Sequence, residues 1–179
     1  MPVSLWKKKS ERLAYQGWRS MLVKTFELPD GKQQEYDIIR NSPYVVVAAF
    51  TTKKEAIFIR QFRPGPEKIL SSFCEGYIDE NETPETAARR ELLEETGYRA
   101  GSIRYVRTLH TAYSTEERIC FIALDCEYER PPAGDDDEYI SVQTMPCADF
   151  LPWACTEASN FASLDALLLA INTAPELRD

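Results

Sequence analysis

The strongest local constraint in this chain is a helix whose two ends are both written into the sequence. Thr83-Pro84-Glu85 supplies an N-cap hydroxyl, a proline suited to the first helical position and an acid near the positive end of the helix dipole. The stretch ETAARRELLEET then runs without a breaker, and Gly97 is placed to stop it. The spacing predicts a helix over 83–96. On it Glu91, Glu94 and Glu95 stand at i, i+3 and i+4 and share a face with Ala87, small enough to leave room above the helix. Like charges at that spacing repel by a few tenths of a kcal/mol per pair. A divalent cation would turn that repulsion into ligation. Taken by itself, a solvated acidic face with Arg89 and Arg90 as partners is the simpler explanation.

The surroundings of this helix read as strands. Met21–Leu28 and Gln33–Arg40 alternate loosely around Pro29-Asp30-Gly31, a turn signal, and predict a hairpin. Tyr44–Phe50 is a continuous apolar, largely β-branched run typical of a buried strand. Further strands are expected at Ala56–Phe62, Ile69–Phe73, Ser102–His110, Arg118–Cys126 and Glu138–Met145. Phe161–Ile171 has helical apolar spacing, and Glu127–Asp137 is rich in Pro, Gly and Asp. Many strands with a few interleaved helices predict an α/β protein with a mixed sheet sandwiched by helices. The expected division is an N-terminal extension over 1–40 and a main domain over 41–179.

Charge and ligand inventory narrow the chemistry. Of 179 residues, 29 are Asp or Glu and 21 are Lys or Arg, a net charge of −8. Nucleic-acid affinity comes from cations that neutralise phosphates, so a nucleic-acid partner is not expected. Cysteines stand at 74, 120, 126, 147 and 155, odd in number and with no C-x-x-C pair. That argues against a disulfide framework or a thiolate zinc site and for reduced thiols. His110 is the one histidine. A catalytic metal would therefore be held mostly by oxygen, which selects Mg²⁺ or Mn²⁺. No apolar run approaches the ~20 residues of a membrane span. The opening MPVSLWKKKSER puts charges where a signal peptide needs apolar residues. A soluble cytoplasmic protein is the expectation.

The helix also belongs to a longer pattern. Gly76 is followed after five residues by Glu82, then after seven by Arg90-Glu91-Leu92-Leu93-Glu94-Glu95-Thr96-Gly97-Tyr98. This resembles the Nudix box, Gly-x5-Glu-x7-Arg-Glu-U-x-Glu-Glu-x-Gly-U, with U a bulky apolar residue. Seven fixed residues match, and a chance match is on the order of one in a million at average residue frequencies. Outside the box, Ile59–Pro64, Ser114–Arg118, Gly134–Val142 and Thr156–Ala170 are similar to segments of ADP-ribose pyrophosphatases and related nucleotide-sugar hydrolases. Three positions depart from that pattern: Glu75 where Ala is usual, Ser72 where an acid is common, and Tyr113, a position that in dinucleoside-polyphosphate enzymes often carries Tyr.

The resemblance implies a Nudix-type α/β/α sandwich with a mixed sheet and an N-terminal β-hairpin extension. It implies hydrolysis of the diphosphate of a nucleoside diphosphate sugar, ADP-ribose first, to a nucleoside monophosphate and a sugar phosphate. Metal ligation falls on Glu91 and Glu95, with Glu94 assisting and the backbone carbonyl of Glu75 as a further ligand. Gly76, Glu82, Arg90 and Gly97 become structural members of the box. Arg90 is expected to point away from the carboxylate face and to pair with Glu82. Arg63 is the phosphate or sugar contact, with Trp18, Tyr113 and Glu117 as further substrate-binding candidates. The water-activating carboxylate falls on Glu138 or Asp136. The resemblance also implies a homodimer formed by N-terminal strands, with Trp18 stacking the base. Three other readings compete: hydrolysis of dinucleoside polyphosphates or nucleoside triphosphates, a non-catalytic nucleotide sensor, and an acidic Ca²⁺-binding protein. The sensor is disfavoured because no box carboxylate is missing, and the Ca²⁺ protein because no EF-hand loop is present.

Overall fold

The computed structural model describes residues 3–133 and 139–177. These form two compact units, one drawn from positions up to Pro43 and from His110–Glu117, the other from Tyr44–Leu109 and from Arg118 onward.

The first unit is a three-stranded antiparallel sheet of β1 (Lys7–Gln16), β2 (Ser20–Glu27) and β3 (Gln33–Arg40), in that order. The β2–β3 turn closes where Gly31, at φ 83°, donates its N–H to the Leu28 carbonyl at 2.9 Å. Glycine takes this left-handed conformation without a Cβ penalty. β1 was not foreseen from the sequence. Its KKKSERLAYQ has no clean alternation, every residue is exposed, and two bulges interrupt its register with β2. It is a strand because β2 offers it a ladder. Cross-strand contacts such as Lys9 with Glu27, at 2.9 Å, line its solvent side. Residues 110–117 join this unit through Ile39, whose N–H donates to the Tyr113 carbonyl and whose carbonyl accepts from Thr115, both at 2.9 Å.

The second unit is organised by β4 (Tyr44–Thr51). Its lower half, Tyr44–Val47, pairs with β7 (Cys74–Tyr77), and Ala49 and Phe50 pair with β5 (Glu55–Arg63). On its other edge it runs parallel to β10 (Glu117–Tyr128). β5 also pairs with β6 (Lys68–Ser72) and β11 (Ile140–Pro146), while β8 (Tyr98–Arg99) and β9 (Ser102–His110) pair with β10. The parallel β4–β10 pair beside antiparallel ones such as β4–β5, β4–β7 and β5–β11 makes the sheet mixed.

Strand alternation sends β4 into two cores. Val45, Val47 and Ala49 pack with Ala87, Ala88 and Leu92 of α1 (Pro84–Thr96). Val46, Ala48 and Phe50 pack with Phe150 of α2 (Cys147–Ala154) and with Ala166, Leu167 and Ala170 of α3 (Leu164–Thr173). The second unit is thus an α/β/α sandwich. Ala87, expected to leave room above the helix, is instead fully buried in the first of these cores.

Several boundaries shift by one or two residues from the sequence reading, β11 starting at Ile140 among them, and two differ for a physical reason. The expected strand over 69–73 is split, because β6 leaves β5 at Ser72 and β7 starts at Cys74 on β4. The last helix begins at Leu164 instead of Phe161. The chain just before it pairs with β6: Ser71 donates to the Asn160 carbonyl at 3.1 Å, and Ala162 donates to the Ser71 carbonyl at 2.8 Å. Among the described residues, no helix is long and apolar enough to cross a membrane.

Candidate active site

Helix α1 starts and stops on local chemistry. The Thr83 hydroxyl accepts the Thr86 N–H at 3.2 Å, Pro84 occupies the first turn, and Gly97 at φ 78° donates to the Leu93 carbonyl. A Cβ on Gly97 would lie 2.1 Å from the Arg130 carbonyl oxygen, so only glycine allows this approach. The Gly97 carbonyl accepts from Glu129 and Arg130, and the Ala133 N–H donates to the Glu94 carbonyl at 2.8 Å. The chain leaving β10 is therefore tied to the end of α1 that carries the carboxylates.

The opposite wall is β7. An added Cβ on Gly76 would stand 1.9 Å from the Glu91 carboxyl carbon. Glycine here is the condition for the Glu91 carboxylate to reach the strand. One residue earlier, the Glu75 N–H donates to Glu95 Oε2 at 3.1 Å. Glu95 does not lie on a solvated acidic face: it is buried with 5% of its surface accessible. The helical spacing put it on the carboxylate face, but only the packing of β7 against that face covers it. Glu94 is half-exposed.

Arg90 joins these groups. It donates to Glu82 at 2.9 and 3.0 Å, to Glu91 Oε1 at 2.7 Å, to Glu94 Oε2 at 3.1 Å and to the Tyr77 carbonyl at 3.0 Å. It does pin the 77–82 loop to the helix. Contrary to the expectation that it points away from the carboxylate face, it also serves two of the three acids there. Five donors on a planar fork make this possible. The carboxylates, Glu82 first, hold Arg90 protonated well above its ordinary value. In return, the Arg90 hydrogen bonds are the largest influence lowering Glu82 below the ordinary glutamate range. The Tyr77 carbonyl could not be foreseen as a partner, since a backbone acceptor has no residue signature.

Arg63 ends β5 and donates through Nη2 to Glu75 Oε1 at 2.8 Å. The structure thus gathers Arg63, Glu75, Gly76, Glu82, Arg90, Glu91, Glu94, Glu95 and Gly97 in the second unit. Trp18 and Tyr113, both exposed, belong to the first unit, and so does Glu117. Glu138 and Asp136 lie outside the described residues.

Among the described residues, no three His, Cys, Asp or Glu side chains converge as a finished metal cage. The donor chemistry nevertheless suits a hard divalent ion. Three carboxylates sit on adjacent turns, beside a strand whose glycine lets one of them approach. Each carboxylate offers two oxygens, acceptors of the kind a hard divalent ion prefers. Burial, then the Glu95 and Glu91 charges, push the Cys74 thiol up.

The family model of the NUDIX domain matches residues 40–164. The chain belongs to the Nudix family. It is therefore an enzyme of the Nudix type, and Nudix hydrolases as a group depend on divalent metal ions. An ADP-ribose pyrophosphatase of Bacillus subtilis is 31% identical over 134 residues, 73% of this chain and 72% of that protein. A GDP-mannose pyrophosphatase of Cronobacter sakazakii is 35% identical over 130 residues, 67% of this chain and 66% of that protein. A crystal structure of an ADP compounds hydrolase superposes with a TM-score of 0.81 over the full length of both chains at 23% identity. At that identity the superposition speaks for the fold, and it agrees with the Nudix sandwich described above.

Proposed function

We propose that this Nudix enzyme hydrolyses the diphosphate bond of nucleoside diphosphate sugars, ADP-ribose first, to a nucleoside monophosphate and a sugar phosphate. The observation that carries the proposal is the junction of α1 and β7, where Glu91 closes on Gly76 and Glu95 accepts the Glu75 N–H. The names of the similar pyrophosphatases support the substrate class. Glu91 and Glu95, assisted by Glu94 and the Glu75 carbonyl, would hold Mg²⁺ or Mn²⁺. When bound, the ion supplies charge neutralisation at the diphosphate and acidifies the attacking water. Arg90 and Glu82 keep the loop on the helix, and with it the Gly76 approach. Arg63 binds phosphate, with Tyr113 and Glu117 as further substrate contacts. Glu138, with Asp136 as the alternative, takes the proton from the attacking water. The anchoring of Ala133 on the Glu94 carbonyl favours this, because it ties the chain just ahead of both acids to the carboxylate helix.

The working form proposed is a homodimer in which Trp18 of a second copy stacks the base. Its support is a first unit with a fully exposed β1 and with Leu13, Tyr15 and Trp18 open to solvent. Five free cysteines, four of them buried, favour a reducing compartment, and the cytoplasm is the proposed location. The test is a substrate panel with separated products: ADP-ribose, GDP-mannose, diadenosine tetraphosphate and ATP, each with Mg²⁺, Mn²⁺ or chelator. AMP and ribose 5-phosphate formed from ADP-ribose, and lost with chelator, are expected. Preference for the tetraphosphate or ATP would reject the substrate class, and full turnover in chelator would reject the metal.

A further inference from the structure

The Arg63–Glu75 pair joins two elements that the sheet otherwise lets diverge. Arg63 closes β5, and Glu75 lies on β7; both strands leave β4, but from different halves of it. Glu75 is fixed from behind, since its N–H donates to the buried Glu95 carboxylate at 3.1 Å. Its side chain accepts one Arg63 N–H, from Nη2, at 2.8 Å. Both side chains are partly open, 34% for Arg63 and 26% for Glu75. A guanidinium carries five donors, so among the described residues this contact, from Nη2 to Glu75 Oε1, leaves most of the Arg63 fork for a ligand.

We infer that Glu75 is a positioning residue for substrate: it clamps Arg63 so that the remaining guanidinium donors present themselves to the diphosphate, in register with the helix that carries Glu95. A long arginine side chain loses rotamer freedom on binding phosphate. A carboxylate that already holds one edge of the fork removes part of that loss before substrate arrives. The inference rests on the assignment of Arg63 to the diphosphate. It differs from the metal role of the same residue, which belongs to the Glu75 backbone carbonyl and not to its side chain.

A double-mutant cycle separates these roles. The readouts are KM and kcat for ADP-ribose, and the affinity of α,β-methylene-ADP, which cannot be cleaved at the bridging position, by calorimetry with Mg²⁺. Glu75→Ala is expected to raise KM and weaken the analogue about 3- to 10-fold, with kcat changed less than about 2-fold. Glu75→Gln keeps the volume and an acceptor oxygen and should fall between. Glu75→Ala added to Arg63→Ala should change neither quantity further. Effects of the two substitutions that multiply independently, tighter binding in Glu75→Ala, or loss confined to kcat would each overturn the clamp. Arg63→Ala binding like wild type would overturn the phosphate assignment and the clamp with it. Arg63→Ala weakened while Glu75→Ala stays at wild-type affinity would overturn the clamp alone. If the purified Glu75→Ala does not fold, Glu75→Gln carries the same cycle.

Discussion

On the face covered by α2 and α3, the central sheet is packed with rings. Phe150 lies 5.2 Å from both Phe58 and Phe161, and Phe73 lies 5.2 Å from Phe161. On the face covered by α1, the buried side chains are mostly small, among them Val45, Val47, Ala49, Ala87 and Ala88. Small side chains let the helix sit low on the sheet, so the acids at its margin can reach the backbone of β7. One face carries the large apolar burial that stabilises the fold. The other gives up ring area for a close helix–strand approach that places carboxylates. Neighbouring arginines on α1 show the same contrast at smaller scale. Among the described residues Arg89 pairs with Glu85, at 3.1 Å and in solvent, whereas Arg90 gathers Glu82, Glu91 and Glu94. Exposed helix pairs of the first kind contribute about 0.3–0.5 kcal/mol.

Substitutions on the two faces should therefore separate stability from activity. The largest stability effect is expected for Phe150→Ala, which empties the centre of the ring cluster and should cost about 3–5 kcal/mol in denaturant unfolding. Activity per folded molecule should survive, and a specific loss of kcat in the folded fraction would break the division. Gly76→Ala should do the reverse. Its Cβ would meet the Glu91 carboxylate, and displacement of that group by about an ångström can cost on the order of 10²-fold in rate. A variant with wild-type turnover would show that Glu91 does not need this approach.

A smaller effect is expected from Glu82→Gln, and its pH dependence has a definite sign. Glu82 titrates below its ordinary value of 4.5 in the folded protein, chiefly through Arg90. The stability it contributes is fully present above about 4.5 and is lost as pH falls through the lower folded-state value. The melting-temperature gap between wild type and Glu82→Gln should be constant from neutral pH down to about 5 and close below that. A gap that widens in acid would remove Glu82–Arg90 as the pin of the loop.

What the sequence displayed was local. Thr83, Pro84 and Gly97 mark α1 by capping chemistry, Gly31 marks the hairpin turn, and the apolar run of β4 marks a strand buried on both faces. What it hid depends on partners distant in sequence. β1 is a strand only because β2 pairs with it. Residues 161–163 look helical by apolar spacing, but the chain there pairs with Ser71 of β6. α2 carries Pro152 within its span, which obscures it as a helix. In the site, spacing alone placed Glu91, Glu94 and Glu95 together, whereas the burial of Glu95, the hold of Arg90 on two of the acids and the Arg63–Glu75 pair needed β5 and β7 in place.

The central claim is that the α1–β7 junction holds a divalent ion, and thermal unfolding against Mg²⁺ and Mn²⁺ tests it without turnover. A ligand that binds the folded state alone raises the melting temperature in proportion to the logarithm of its concentration once the site is filled. Wild type should show that rise with either ion. Glu95→Gln keeps an oxygen to accept the Glu75 N–H but gives up the charge, and it should show little or none while melting within a few degrees of wild type without metal. A metal-independent wild type, or an equal rise in Glu95→Gln, would contradict the assignment.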